Sequence, residues 1–250
     1  MTDMSGILSE MKTPVSVLAR GDLKLIVRDS TLVMALFGPI AITCLIFFLP
    51  SIEALVLSKI SFDLTPYRSF IVVFLSLIPG MLFAMIYGFI ILDERDEDVI
   101  DFISITPLRK RGYLTYKLIM PMLLSAGFFL FIIFASSLIQ FNPVHAMGVS
   151  IMVAIEAAIG TLFLVAFSEN KVEGLAFSKV LGIMYLAIPL VFFWTSGWHW
   201  LSAFLPPFWI AKAFVHSQMS SAWIWSDLFF GMVVHIGVLI FFLRVFLRKR

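Results

Sequence analysis

Six runs of mostly apolar residues, 32–49, 70–92, 118–139, 146–167, 175–194 and 222–247, alternate along the chain with short polar segments. A helix rises about 1.5 Å per residue, so each run can cross the roughly 30 Å of hydrocarbon in a bilayer. The apolar positions are continuous within each run. Backbone amides in lipid must pair internally, and a barrel would show short alternating segments, so these runs predict helices. The expected fold class is an all-α integral membrane protein with six transmembrane helices in a single domain, 1–250. About thirty mixed residues precede the first run, so a cleaved secretory leader is not expected.

Basic residues set the orientation. With both termini in the cytoplasm, fifteen of the eighteen lysines and arginines fall on the inner side, and only Lys59, Arg68 and Lys212 fall outside. The positive-inside rule therefore predicts N-in, C-in. Two segments do not span. In the first, 1–31, Thr13 can cap a helix led by Pro14, and Val15, Leu18, Leu25 and Ile26 recur near helical spacing with Arg20, Lys24 and Arg28 elsewhere. This predicts an amphipathic helix at the inner interface, either anchored on anionic headgroups or docked on a partner. The second, 196–221, has apolar pieces too short to span and predicts a re-entrant or surface-lying outer hairpin. All six tryptophans lie between Trp194 and Trp225, as an aromatic belt or a ligand-stacking surface would place them.

Composition narrows the function. Of 250 residues 61% are hydrophobic and 14% charged, against roughly 25% charged in soluble domains. A net charge of +2, with no cationic tract interleaved with aromatics, excludes disorder and nucleic-acid binding. Cys44 is the single cysteine, and His145, His199, His216 and His235 lack ligand spacing, so neither a disulfide nor a structural metal is expected. The sequence has no GxxxxGK[ST], GxSxG or HExxH motif, so the chain is expected to bind no cofactor, hydrolyse no ATP itself and act as no enzyme. The 27 phenylalanines and 13 methionines suit either lipid packing or an adaptable apolar pocket.

The most informative segment is the connection DERDEDVIDFISITPLRKRGYLTYKL, beginning at Asp93. Asp93, Glu94, Asp96, Glu97, Asp98 and Asp101 crowd its start, and Arg109, Lys110, Arg111 and Lys117 follow Pro107. This order suits the dipole of a short helix, which Pro107 ends near Ile105. Val99, Ile100, Phe102, Ile103 and Ile105 are too apolar for a solvated loop. They fold either under the chain's own bundle or into a groove of a soluble partner.

That segment resembles the first cytoplasmic loop of ABC-2 type permeases, and two further stretches, ENKVEGLAFSK from Glu169 and LPPFWIAKAF from Leu205, are similar to the fluoroquinolone-type multidrug-export branch. Six-span order and spacing match over nearly the whole chain. The resemblance implies a plasma-membrane exporter of hydrophobic or amphipathic, drug-like compounds. It implies a dimer with a second permease chain, identical or not, bound at its inner face to two copies of an ABC ATPase subunit, where ATP and magnesium would reside. By that likeness Glu94, Arg95, Glu97, Asp101 and Phe102, within 93–117, form the ATPase-coupling helix, and Arg20 and Arg28 belong to the connecting helix. Asp98 departs from the pattern, since members of that family usually carry glycine there. Pro79 and Pro189 are candidate bending points.

Charges deep in a bilayer are costly and mark function. Glu156 and His235 sit at comparable depth in the fourth and sixth runs. They either hold two helices together or face a substrate path; as proton carriers they would suit the alternative, an ion-gradient-driven transporter. Lys212 and Asp227 read as interfacial anchors or a surface ion pair.

Overall fold

A computed structural model of the chain describes residues 4–106, 108–194 and 196–248, with residues 4–15 described by backbone alone. Every regular element among them is helical: α1 Met4–Arg28, α2 Ser30–Phe47, α3 Leu49–Ile60, α4 Arg68–Asp96, α5 Val99–Ser104, α6 Arg109–Ser136, α7 Pro143–Phe167, α8 Lys171–Met184, α9 Ala187–Phe193, α10 Pro206–Gln218 and α11 Ile224–Arg248. Six stretches are long and apolar enough to cross a membrane, formed by α2, α4, α6, α7, α8 with α9, and α11.

α7 is the central post. Some 89% of its most apolar stretch is buried, against 50% for the span containing α4 and 28% or less for the other four. It packs on α4, α6 and α11, and α10 and α8 close its remaining sides. Without a hydrophobic drive between helices in lipid, close backbone approach supplies the packing energy, and small residues permit it. A Cβ built at Gly160 would lie 2.9 Å from Ala84 Cβ, so α4 and α7 meet where neither has bulk. Thr161 Oγ1 bridges the same contact, donating to Ala84 O at 3.2 Å and Ala157 O at 3.0 Å.

Several boundaries differ from the sequence reading. α1 starts well before Thr13 and runs through Pro14. A helix, α3, follows the first span, and its Glu53 grips Arg68 at the start of α4 through two hydrogen bonds, 2.9 Å to Nε and 2.5 Å to Nη2. The segment 196–221 holds a helix, α10. It packs against α11, α9 and α7 with Phe208, Trp209, Ile210 and Phe214 buried, its start set by Pro206 and Pro207.

The two prolines singled out as bending points behave differently. α4 continues unbroken past Pro79. The fifth span breaks at Tyr185 and Leu186, four residues before Pro189. Proline cannot donate to the carbonyl four residues back, and its ring crowds that carbonyl. Tyr185 O accepts instead from Ile188 N at 3.0 Å, a tighter turn that divides α8 from α9.

The α4–α7 contact is testable by contrast. Gly160→Val should cost about 1–3 kcal/mol through overpacking, read as a lower unfolding temperature in detergent. Gly127 has open space around its position, so Gly127→Ala in α6 should instead gain up to about 1 kcal/mol of helix propensity.

Candidate functional site

One end of the bundle gathers the charged residues; we call it the basic end, and the opposite, tryptophan-bearing end the aromatic end. At the basic end Lys117 of α6 is completely buried, with Asp22 of α1 at 2.5 Å and Glu94 of α4 at 2.9 Å. Tyr116 donates its hydroxyl to Asp22 at 2.9 Å, and Tyr113 donates to Glu94. An ammonium out of water is tolerated only when paired and hydrogen-bonded; the two carboxylates supply this, and the two tyrosine hydroxyls bond those carboxylates in turn. The cluster ties α1, α4 and α6 together.

A second network lies beside it. Lys171 at the start of α8 donates to Asp93 at 2.5 Å and to Asp29. Asp29 also caps α2, accepting from Thr31 N at 2.7 Å and Leu32 N at 3.2 Å. The Lys171 ammonium, as hydrogen-bond donor, holds the Asp29 carboxyl below the usual carboxylate range. Arg95 reaches the end of α7, donating to Val165 O, Ser168 O and Glu169 O at 3.3, 2.7 and 2.6 Å. A cation there answers the negative end of the α7 dipole. Asn170 caps α8 by accepting from Glu173 N at 3.0 Å, and Glu173 accepts from Glu169 N at 2.6 Å. The ENKVEG stretch is thus a helix-to-helix corner closed by reciprocal side-chain caps.

The residues assigned to the coupling helix divide into two groups. Glu94 and Arg95 occupy the last turn of α4, Glu94 buried in the Lys117 cluster and Arg95 turned onto α7. Glu97 is exposed just past α4. Only Asp101 and Phe102 lie in the short helix itself, α5. The acid run therefore sits largely at a helix C-terminus, where the dipole disfavours it, and Lys117 and Lys171 provide the compensation. Between α4 and α5 the chain turns through Asp98, at φ +57°. That left-handed conformation suits glycine, and aspartate is among the few other residues that tolerate it.

α5 covers Ile100 against the core, while Phe102 and Ile105 remain 68% and 81% exposed. Asp101 pairs with Lys110 at 2.7 Å on the surface. Arg20 and Arg28 of α1 are exposed, opposite the face carrying Asp22 and Ile26. Pro107 lies outside the described residues. The sequence reading missed Asp22, Tyr113 and Tyr116, and took Lys117 as a flanking charge. The available signal was Asp22, which falls in register with Leu18, Leu25 and Ile26 on the apolar face of α1.

Deep in the bundle, at the midpoints of α7 and α11, Glu156 Oε2 lies 3.9 Å from His235 Nε2. His235 Nδ1 is 2.7 Å from Gly231 O. At the aromatic end Lys212 and Asp227 do not pair with each other. Asp227 bonds His216, and the Lys212 ammonium sits 3.8 Å above the Trp200 ring. Among the described residues no group of histidine, cysteine and carboxylate side chains has metal-site geometry.

Lys117→Met would leave Asp22 and Glu94 buried without their cation and should cost about 3–5 kcal/mol, measured by unfolding in detergent. For Asp29 the sign follows from its lowered pKa. The Lys171 contact stabilises the protein above the unfolded-chain value, about 3.9, and is lost as pH falls through the folded value. Asp29→Asn keeps a capping oxygen and loses the charge. It should be less stable than wild type near neutrality, with the gap closing as pH drops below about 4.

No solved structure matches the chain. Two relatives from Mycobacterium tuberculosis, the fluoroquinolones export permease protein MT2760 of strain CDC 1551 / Oshkosh and the fluoroquinolones export permease protein Rv2686c of strain ATCC 25618 / H37Rv, are each 25% identical over 239 residues, covering 94% of both chains. A family model described as fluoroquinolones export permease protein Rv2686c-like matches residues 22–243, a stretch that opens on Asp22 and takes in both networks, five candidate spans and most of the sixth. The chain therefore belongs to the Rv2686c-like fluoroquinolone export permeases, the drug-export branch of ABC-2 type permeases that its loops resemble.

Proposed function

We propose that this chain is the membrane-spanning subunit of an ATP-driven exporter whose ATPase is a separate protein docked at the basic end. The supporting observation is α5. A short helix anchored to the core by Ile100, it shows Phe102, and Ile105 just past its end, to solvent beside the acidic Asp96, Glu97 and Asp98. Such a surface fits a partner groove with an apolar floor and a basic rim. Behind it, Glu94 and Arg95 join the end of α4 to α1, α6 and α7. A push on α5 is therefore delivered to several helices at once, and coupling requires contacts that differ between two packings of the bundle.

On this reading the basic end is cytoplasmic, both termini are inside, and α1 is the connecting helix, with Arg20 and Arg28 free to meet headgroups or the partner. The complex holds a second permease chain and two ATPase copies, which carry the ATP and magnesium. The cargo is an amphipathic drug-like compound, and the relatives' names favour the fluoroquinolone class. A second reading, transport driven by an ion gradient, draws support from Glu156 and His235, whose facing atoms lack hydrogen-bond partners.

Reconstituted vesicles separate the two. Export should require the ATPase and ATP; export by the chain alone that collapses with the proton gradient would favour the second reading. Within the complex, Glu97→Ala combined with Phe102→Ala should cut ATP-driven export at least about tenfold, a loss of roughly 1.4 kcal/mol, while the protein still inserts and unfolds like wild type. Unaltered export by that variant overturns the docking assignment.

A further inference from the structure

Glu156 is 8% exposed and His235 fully buried, yet neither carboxyl oxygen of Glu156 nor Nε2 of His235 meets hydrogen-bond geometry with any described group. Buried polar atoms are nearly always satisfied, so an unsatisfied set at one point needs an explanation. The tautomer follows from the backbone. Nδ1 faces the Gly231 carbonyl at 2.7 Å and must carry a hydrogen to donate to it. Nε2 then holds either a lone pair facing a protonated Glu156 or a hydrogen facing a carboxylate. In both forms the pair holds one exchangeable proton and is neutral overall. Without that proton a bare carboxylate would stand in the middle of the bundle, at high cost.

A cavity of about 20 Å³ opens onto Glu156. α4 presents Met81 and Ala84 to it, α8 Leu181 and Met184, α10 its two leading prolines, and α6 lines no part of it. The titratable groups beside Glu156 among the described residues are His235 of α11, 3.9 Å away, and Tyr185, which lines the same cavity. No lysine or arginine lines the cavity. Tyr185 is also where the fifth span breaks, and broken helices at the middle of a bundle are where transporters place ligand sites.

Resting on the export reading above, we propose that Glu156 is the recognition carboxylate for the cationic nitrogen of an amphipathic substrate, which takes the place of the pair's shared proton. As the cation enters, the proton leaves to water from whichever partner held it, His235 is left neutral, and the site stays uncharged overall. The thioethers of Met81 and Met184 and the Tyr185 ring supply polarisable walls for the cation. The cavity as it stands admits a group the size of a water or an ammonium head. The apolar remainder of the ligand enters as α8 and α9 part at Tyr185.

The test is equilibrium binding of rhodamine 6G, a fluorescent lipophilic cation whose charge is fixed, to the full-length protein in phosphatidylcholine nanodiscs, read by anisotropy. Affinity should rise with pH, since one proton is released per cation bound. Glu156→Gln should weaken binding at least about tenfold and flatten the pH dependence, and Glu156→Asp should restore part of both. A wild-type affinity that does not change with pH overturns the proposal even if no variant folds. So does a folded Glu156→Gln protein that binds like wild type. Export that proves independent of any ATPase would count against the reading above and leave this site standing, whereas pH-independent binding in a chain that exports with ATP removes the site alone.

Discussion

An ammonium taken fully out of water loses several kcal/mol of hydration, and the attraction of a partner repays this only when geometry and further hydrogen bonds are complete. Lys117 meets that condition with carboxylates from two other helices, themselves bonded by Tyr113 and Tyr116. The arrangement is specific, not merely adhesive. An apolar contact between α1 and the bundle would tolerate sliding; a buried charge with two named partners does not. The positions of α1, the end of α4 and the start of α6 are therefore fixed relative to one another, and α5 hangs from this frame by the Asp98 turn.

The two ends of the molecule solve the problem of charge in different ways. At the basic end acids and bases are internally matched, so that Asp93, Glu94 and Asp29 all find lysines despite an unfavourable helix terminus for the first two. At the aromatic end rings do the work. Trp209 donates to Ala203 O at 2.7 Å, Lys212 lies over Trp200, and Trp194, Trp198, Trp223 and Trp225 remain exposed. Rings with an apolar body and a polar edge suit a boundary between lipid and water. Between these ends Glu156 and His235 are the exception, two polar groups provided with neither solution.

The six spans were legible in the sequence because long apolar runs admit one interpretation in lipid. The apolar face of α1 was legible too, from Leu18, Leu25 and Ile26. The end of α4 was not. Nothing like glycine or proline separates Leu92 from Val99, so the acid run read as the opening of a new helix, whereas the helix ends instead on a left-handed aspartate. α10 was obscured for another reason: a short helix buried on most sides has no polar stripe to give its period away. The Lys117 cluster is the least legible feature. Asp22 and Lys117 are 95 residues apart, and one sequence offers no signal that joins them.

The central position of α7 bears on how the protein is made. This helix is the fourth of the six to leave the ribosome, yet the second and third spans, α4 and α6, have their largest interfaces on it. Through a substantial part of synthesis they must wait in the bilayer with those flanks covered by lipid or by an insertion chaperone. The fold closes only when its middle arrives, so the order of synthesis runs against the order of packing.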